Sequence, residues 1–153
     1  VTERTEPVIV VGMDGSSHSK EALRWAVEQA KAVGGRVEAV LSWQWSRNPF
    51  DVTATALDEE DTELLTAEEA ARRELAEAVG DAVGAEPGAP VSKRVVQGVP
   101  ARVLVDASEK ADLMVVGTRG YGGFKAAMLG SVSQQVVQHA KCSVVVVRPP
   151  AGG

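Results

Sequence analysis

Asp112-Leu113-Met114-Val115-Val116-Gly117-Thr118-Arg119-Gly120, followed after nine residues by Gly130-Ser131-Val132-Ser133, is the stretch on which the fold turns. Its front half is a short apolar run, the pattern of a buried strand. Its back half opens helical spacing, with Val132, Val136, Val137 and Ala140 as the apolar positions. The glycines between them are spaced G-x2-G-x9-G-S. Glycine lets a backbone approach a bulky anion with its N–H groups exposed. A helix N-terminus adds unpaired N–H groups and the positive end of a dipole. A glycine-rich strand exit joined to a helix start is therefore a phosphate cradle, and Gly130 is expected to matter through its missing side chain or a positive φ. A plainer reading stands beside this one. Glycines are ordinary turn residues, and Ser131-Val132-Ser133-Gln134 fits a capping box with Ser131 at the N-cap and Gln134 at N3.

The same alternation extends outward in both directions. Val8 to Val11 is a continuous β-branched run. Leu23, Ala26, Val27, Ala30 and Val33 keep helical spacing from about Ser17, and Gly34-Gly35 ends that helix. Val37 to Trp43 reads as a second strand, and Ser46 to about Asp61, polar with Pro49, as a long loop. Leu64, Leu65, Ala71, Leu75, Ala78, Val79 and Val83 mark a second helix, and Gly84 to Pro90 a linker. Val91 to Val96 is a third strand. Pro100 opens a third helix that turns Val103, Leu104 and Ala107 inward. Ser143 to Val147 closes the chain as a fifth strand. Five strands alternating with four helices imply an α/β domain with a parallel sheet and helices on both faces. Ligands in such sheets bind beyond the strand C-terminal ends, where both Asp14 and Gly117 fall.

Composition narrows the function. The chain has 153 residues, 44% of them hydrophobic and 24% charged, as expected of one soluble domain. A net charge of −5 disfavours a general nucleic-acid or anionic-membrane surface. Residues 1–6 are polar and read as a flexible N-terminus, residues 7–149 as the domain, and residues 150–153 as a flexible tail. The single cysteine, Cys142, forbids an intrachain disulfide, suits the cytoplasm and reads as a core residue. His18, His139 and Cys142 show no metal-site spacing. Trp25, Trp43 and Trp45 read as packing residues. No G-x4-G-K-[ST], no G-x-G-x-x-G after the first strand and no G-x-S-x-G occurs. Nothing nominates a nucleophile with its base, so the chain is expected not to be an enzyme.

Five segments together resemble the universal stress protein family in its ATP-binding branch. They are Val8-Ile9-Val10-Val11-Gly12-Met13-Asp14-Gly15-Ser16, Gln97-Gly98-Val99-Pro100, Ala111 to Gly117, the glycine motif itself, and Cys142-Ser143-Val144-Val145-Val146-Val147-Arg148-Pro149. The resemblance implies a three-layer α/β/α sandwich, flavodoxin-like and similar to adenine-nucleotide alpha-hydrolases, with strand order 3-2-1-4-5. It also implies an ATP site. Asp14 would accept from ribose hydroxyls there, although Met13-Asp14-Gly15-Ser16 is equally a turn sequence that favours Asp. Gly12 matches a neighbouring backbone contact, and Ser42 or Leu41 the backbone position that reads adenine. Val116, Gly117, Gly120, Gly130, Ser131, Val132 and Ser133 complete the implied ATP-binding set, Ser131 and Ser133 matching positions that hydrogen-bond phosphates, with Arg119 and Lys125 as candidate phosphate contacts. ATP would bring Mg²⁺ bridged by its phosphates, and would at most be hydrolysed slowly. The implied assembly is a homodimer through the last strand, with a protein partner unspecified. AMP or a cyclic nucleotide in place of ATP, and a nucleotide-independent interaction protein, remain the competing readings.

Overall fold

Val8–Met13 forms β1, the central strand. In the computed structural model, residues 6–44, 57–118 and 129–149 are described, the side chains of 57–64 excepted. α1 spans Ser17–Val33; its cap residue Ser16 accepts from the Ser19 backbone N–H, and Gly34 ends it at φ 68°. That left-handed geometry suits glycine, which has no Cβ to clash. β2 is Arg36–Trp43, α2 Leu57–Val83 and β3 Val91–Gln97. α3 is Pro100–Ser108, with its proline in the first turn, where a missing N–H costs nothing. β4 is Leu113–Gly117, α4 Ser131–His139 and β5 Ser143–Val147.

All strand pairs are parallel, in the order β3-β2-β1-β4-β5. Val11 aligns with Ala39 on one side and Val115 on the other. Because strand side chains alternate, each strand feeds two cores. Ile9, Val11, Val37 and Val115 join Leu23 of α1 and Leu75 of α2 on one face. Val10, Val40 and Met114 join Leu104 of α3 and Val136 of α4 on the other. This double burial explains the near-continuous apolar run in β1.

Four expectations need correction. α2 begins at Leu57, so residues 57–61 of the expected loop are already helical; residues 46–56 lie outside the described residues. Asp58, Glu59, Glu60 and Asp61 hide that start from an apolar count, yet carboxylates favour a helix N-terminus. Ser131 is the first residue of α4 rather than its cap. Gly130 holds the cap position with no side-chain hydrogen bond, so the capping box does not form. Gly130 has φ −64°, an ordinary region, so no positive φ is required there. Trp25 is 37% exposed on α1 rather than packed inside, whereas Trp43 packs on the α1–α2 core; Trp45 lies outside the described residues. Cys142 is half-buried against the α3–α4 core. Burial, and then the Asp112 carboxylate, push its thiol above the ordinary value, which lowers its thiolate fraction.

Candidate functional site

The turn after β1 is built around Asp14. Its Oδ1 accepts from the Ser16 backbone N–H at 2.9 Å and from the Ser16 hydroxyl. Ser16 Oγ in turn accepts from Ser19 N at 3.2 Å, and Ser19 Oγ donates to the Ser16 carbonyl at 3.0 Å. Gly15, at φ 80°, allows the reversal. Asp14 is thus a turn-forming residue through one carboxylate oxygen. Its Oδ2 bonds to no described residue, and the side chain is half-buried. A carboxylate oxygen left over from the turn can accept from a hydroxylated ligand.

The exit of β4 is built around Gly117. Its carbonyl accepts from Ser133 Oγ at 2.6 Å, and the Thr118 carbonyl accepts from the Gly130 N–H at 2.7 Å. These bonds seat the start of α4 against the end of β4. Ser133 is only 6% exposed, so its hydroxyl serves the Gly117 carbonyl first. Ser131 is exposed and Val132 half-buried at the helix start. The first intrahelical bond is Gln134 N to Gly130 O, which leaves the N–H groups of Ser131, Val132 and Ser133 without intrahelical partners. Val116 is 3% exposed, so a ligand can meet only its backbone. Ser42 is half-buried near the end of β2, aligned with Val96 of β3, and Leu41 is buried. Arg119, Gly120 and Lys125 lie outside the described residues.

Two of the glycines have packing reasons of their own. A Cβ on Gly12 would sit 2.7 Å from Leu104 Cδ1, and one on Gly117 would sit 2.8 Å from the His18 carbonyl oxygen and 2.9 Å from its Cβ. The Leu104 methyl can move, but the His18 backbone in the first turn of α1 is fixed. Gly117→Ala is therefore expected to lose about 1–3 kcal/mol of stability, the usual cost of overpacking. Urea unfolding would show it as a lower midpoint with an unchanged slope; an unchanged midpoint would mean that α1 is not seated on this glycine.

His18 is the residue that sequence reasoning missed. Its Nδ1 lies 3.1 Å from Thr118 Oγ1, which ties the start of α1 to the end of β4. No local pattern announces a contact between residues 18 and 118; only the adjacency of β1 and β4 creates it. Among the described residues no group of three His, Cys, Asp or Glu side chains could hold a metal ion. No described helix is long and apolar enough to cross a membrane.

Because β1 and β4 are neighbours, the Asp14 turn and the α4 N-terminus share one end of the sheet. One side offers a carboxylate oxygen to donors. The other offers N–H groups without intrahelical partners to an anion.

A parallel sheet in this order, with two helices on each face, defines the flavodoxin-like doubly wound α/β class. The chain belongs to the universal stress protein family, whose sequence profile it matches over residues 7–148. A universal stress protein of Mycolicibacterium smegmatis is 34% identical over 96% of this chain and 50% of its own length. One of Thermus aquaticus is 36% identical over 92% of this chain and 97% of its own. A crystal structure of a universal stress protein in complex with cAMP superposes with a TM-score of 0.64 at 30% identity, covering 92% of this chain and 96% of that one. The chain spans about half the length of the mycobacterial relatives it matches.

Proposed function

We propose that this chain binds ATP at the sheet end shared by the Asp14 turn and the N-terminus of α4, and acts as a nucleotide-responsive module in the cytoplasm. The observation that carries the reading is the pairing of two complementary groups at one sheet end. Asp14 Oδ2 is a charged acceptor suited to ribose hydroxyls, and the N–H groups of Ser131, Val132 and Ser133 suit phosphate. The residues fit the nucleotide, and among the described ones no acidic cluster could hold its metal, so Mg²⁺ would be held by the phosphates themselves. The protein would act by population shift. ATP favours whichever conformer it binds more tightly, and a partner reads the difference. No hydrolytic role is assigned to any side chain in this reading.

The relative solved with cAMP supports a second reading, in which a nucleotide with one phosphate is the ligand. Native mass spectrometry of freshly purified protein separates the two. A retained mass of ATP supports the first reading; AMP or a cyclic nucleotide supports the second. Protein that stays bare after incubation with each nucleotide contradicts both.

The partner surface of this reading includes a second copy of the chain. β5 is an edge of the sheet, and Val144-Val145-Val146-Val147 carries no charge or proline to discourage pairing. Helices α1 and α4 both touch β5 and expose apolar side chains: Val137 of α4 is 47% exposed, and Trp25 lies on α1. Pairing of β5 with its two-fold mate would close the edge in an isologous dimer. Val145 is half-buried against the α1–α2 core at that edge, so Val145→Lys is expected to set an ammonium beside the seam and shift the protein to monomer, with circular dichroism showing that the fold is kept. Sedimentation equilibrium checks it. A wild-type chain that sediments as a monomer at all concentrations contradicts the dimer.

A further inference from the structure

We propose that His18 is a positioning residue of the nucleotide site, coupling the Asp14 turn to the phosphate side by holding Thr118. The proposal rests on the nucleotide-binding reading above. His18 meets the end of β4 twice. Its ring places Nδ1 3.1 Å from Thr118 Oγ1, and its backbone lies so close to Gly117 that a Cβ there would be 2.8 Å from its carbonyl oxygen. His18 stands in the first turn of α1, and the cap of that helix, Ser16, is bonded to Asp14. Thr118 accepts from the Gly130 N–H, and Gly117 from the Ser133 hydroxyl. The path runs from Asp14 to Ser16, which is bonded to Ser19 in the first turn of α1, along that turn to His18, and from its ring to Thr118 and the start of α4.

Each contact fixes a distance that a nucleotide must span. Asp14 and the α4 N–H groups belong to segments far apart in sequence, and the His18–Thr118 bond ties them at the ligand end of the sheet. A site held in its binding geometry does not lose affinity to the ordering of its parts. Without the ring, Thr118 keeps its carbonyl bond to Gly130 but loses its side-chain anchor. The phosphate side then has to be ordered when ATP arrives. A nucleoside, which has no phosphate, makes no demand on that side.

The test is calorimetric titration of the full chain with ATP and with adenosine, using wild type, His18→Ala, Thr118→Val, the double variant and His18→Asn. Either His18→Ala or Thr118→Val should weaken ATP binding about two- to tenfold, the range for one neutral hydrogen bond. The double variant should lose no more than the single ones, because both remove the same bond. Adenosine affinity should not change. His18→Asn should retain ATP affinity, since its amide reaches the place of Nδ1. Additive losses, equal losses for adenosine and ATP, or an unaltered His18→Ala would overturn the proposal. A wild-type chain that binds neither ligand contradicts the nucleotide reading and the proposal with it. Hydrogen exchange in nucleotide-free protein tells that failure from a failure of the contact: the Gly130 amide should exchange faster in His18→Ala, and an unchanged rate means that the ring does not hold Thr118.

Discussion

Asp14→Ala is expected to weaken ATP binding roughly ten- to hundredfold. The basis is a hydrogen bond from a ribose hydroxyl to a charged acceptor, typically worth about 1.5–3 kcal/mol. The structure adds a second consequence. Asp14 Oδ1 holds the Ser16 amide and hydroxyl, and Ser16 caps α1, so the alanine variant should also melt at a lower temperature. The two effects are separable. Asp14→Asn keeps a carbonyl oxygen for the Ser16 N–H while removing the charge. It should hold most of the melting temperature and still lose ATP affinity. If Asp14→Asn and Asp14→Ala both bound ATP like wild type by calorimetry, Asp14 would be a turn residue and nothing more.

Gly130→Val is expected to abolish measurable ATP binding in a protein that still folds. The backbone at Gly130, φ −64° and ψ 162°, is one that valine adopts readily, and the position makes no side-chain cap that could be lost. The effect is therefore one of bulk alone. A branched side chain beside the first N–H groups of α4 stands where a phosphate must approach. Circular dichroism should report an intact fold while titration shows no heat. Unchanged ATP affinity in a folded Gly130→Val protein would remove the α4 N-terminus from the site.

Much of this architecture is legible in local sequence. β-branched runs such as Val8 to Val11 mark strands buried on both faces, and Val132 with Val136 marks the inward side of α4. Pro100 and Gly34 stand where helix physics places them, at a first turn and a left-handed end. Strand order is different. Periodicity carries no information about which strands are neighbours, and only the family resemblance implies the order. Features that depend on tertiary neighbours were not legible. The glycines at 12 and 117 read as ligand-approach positions, yet each also gives room to a packed helix, Leu104 in one case and His18 in the other. Ser133 reads as a phosphate ligand, and its hydroxyl is turned to the Gly117 carbonyl. The start of α2 was hidden because a polar first turn has no apolar rhythm to count.

The most direct test of the central claim is calorimetric titration of the wild-type chain with Mg²⁺-ATP, followed by displacement with AMP and with cAMP. A saturable signal of one ATP per chain is expected, with both competitors weaker than ATP. No heat with ATP, or tighter binding of AMP or cAMP than of ATP, would contradict it.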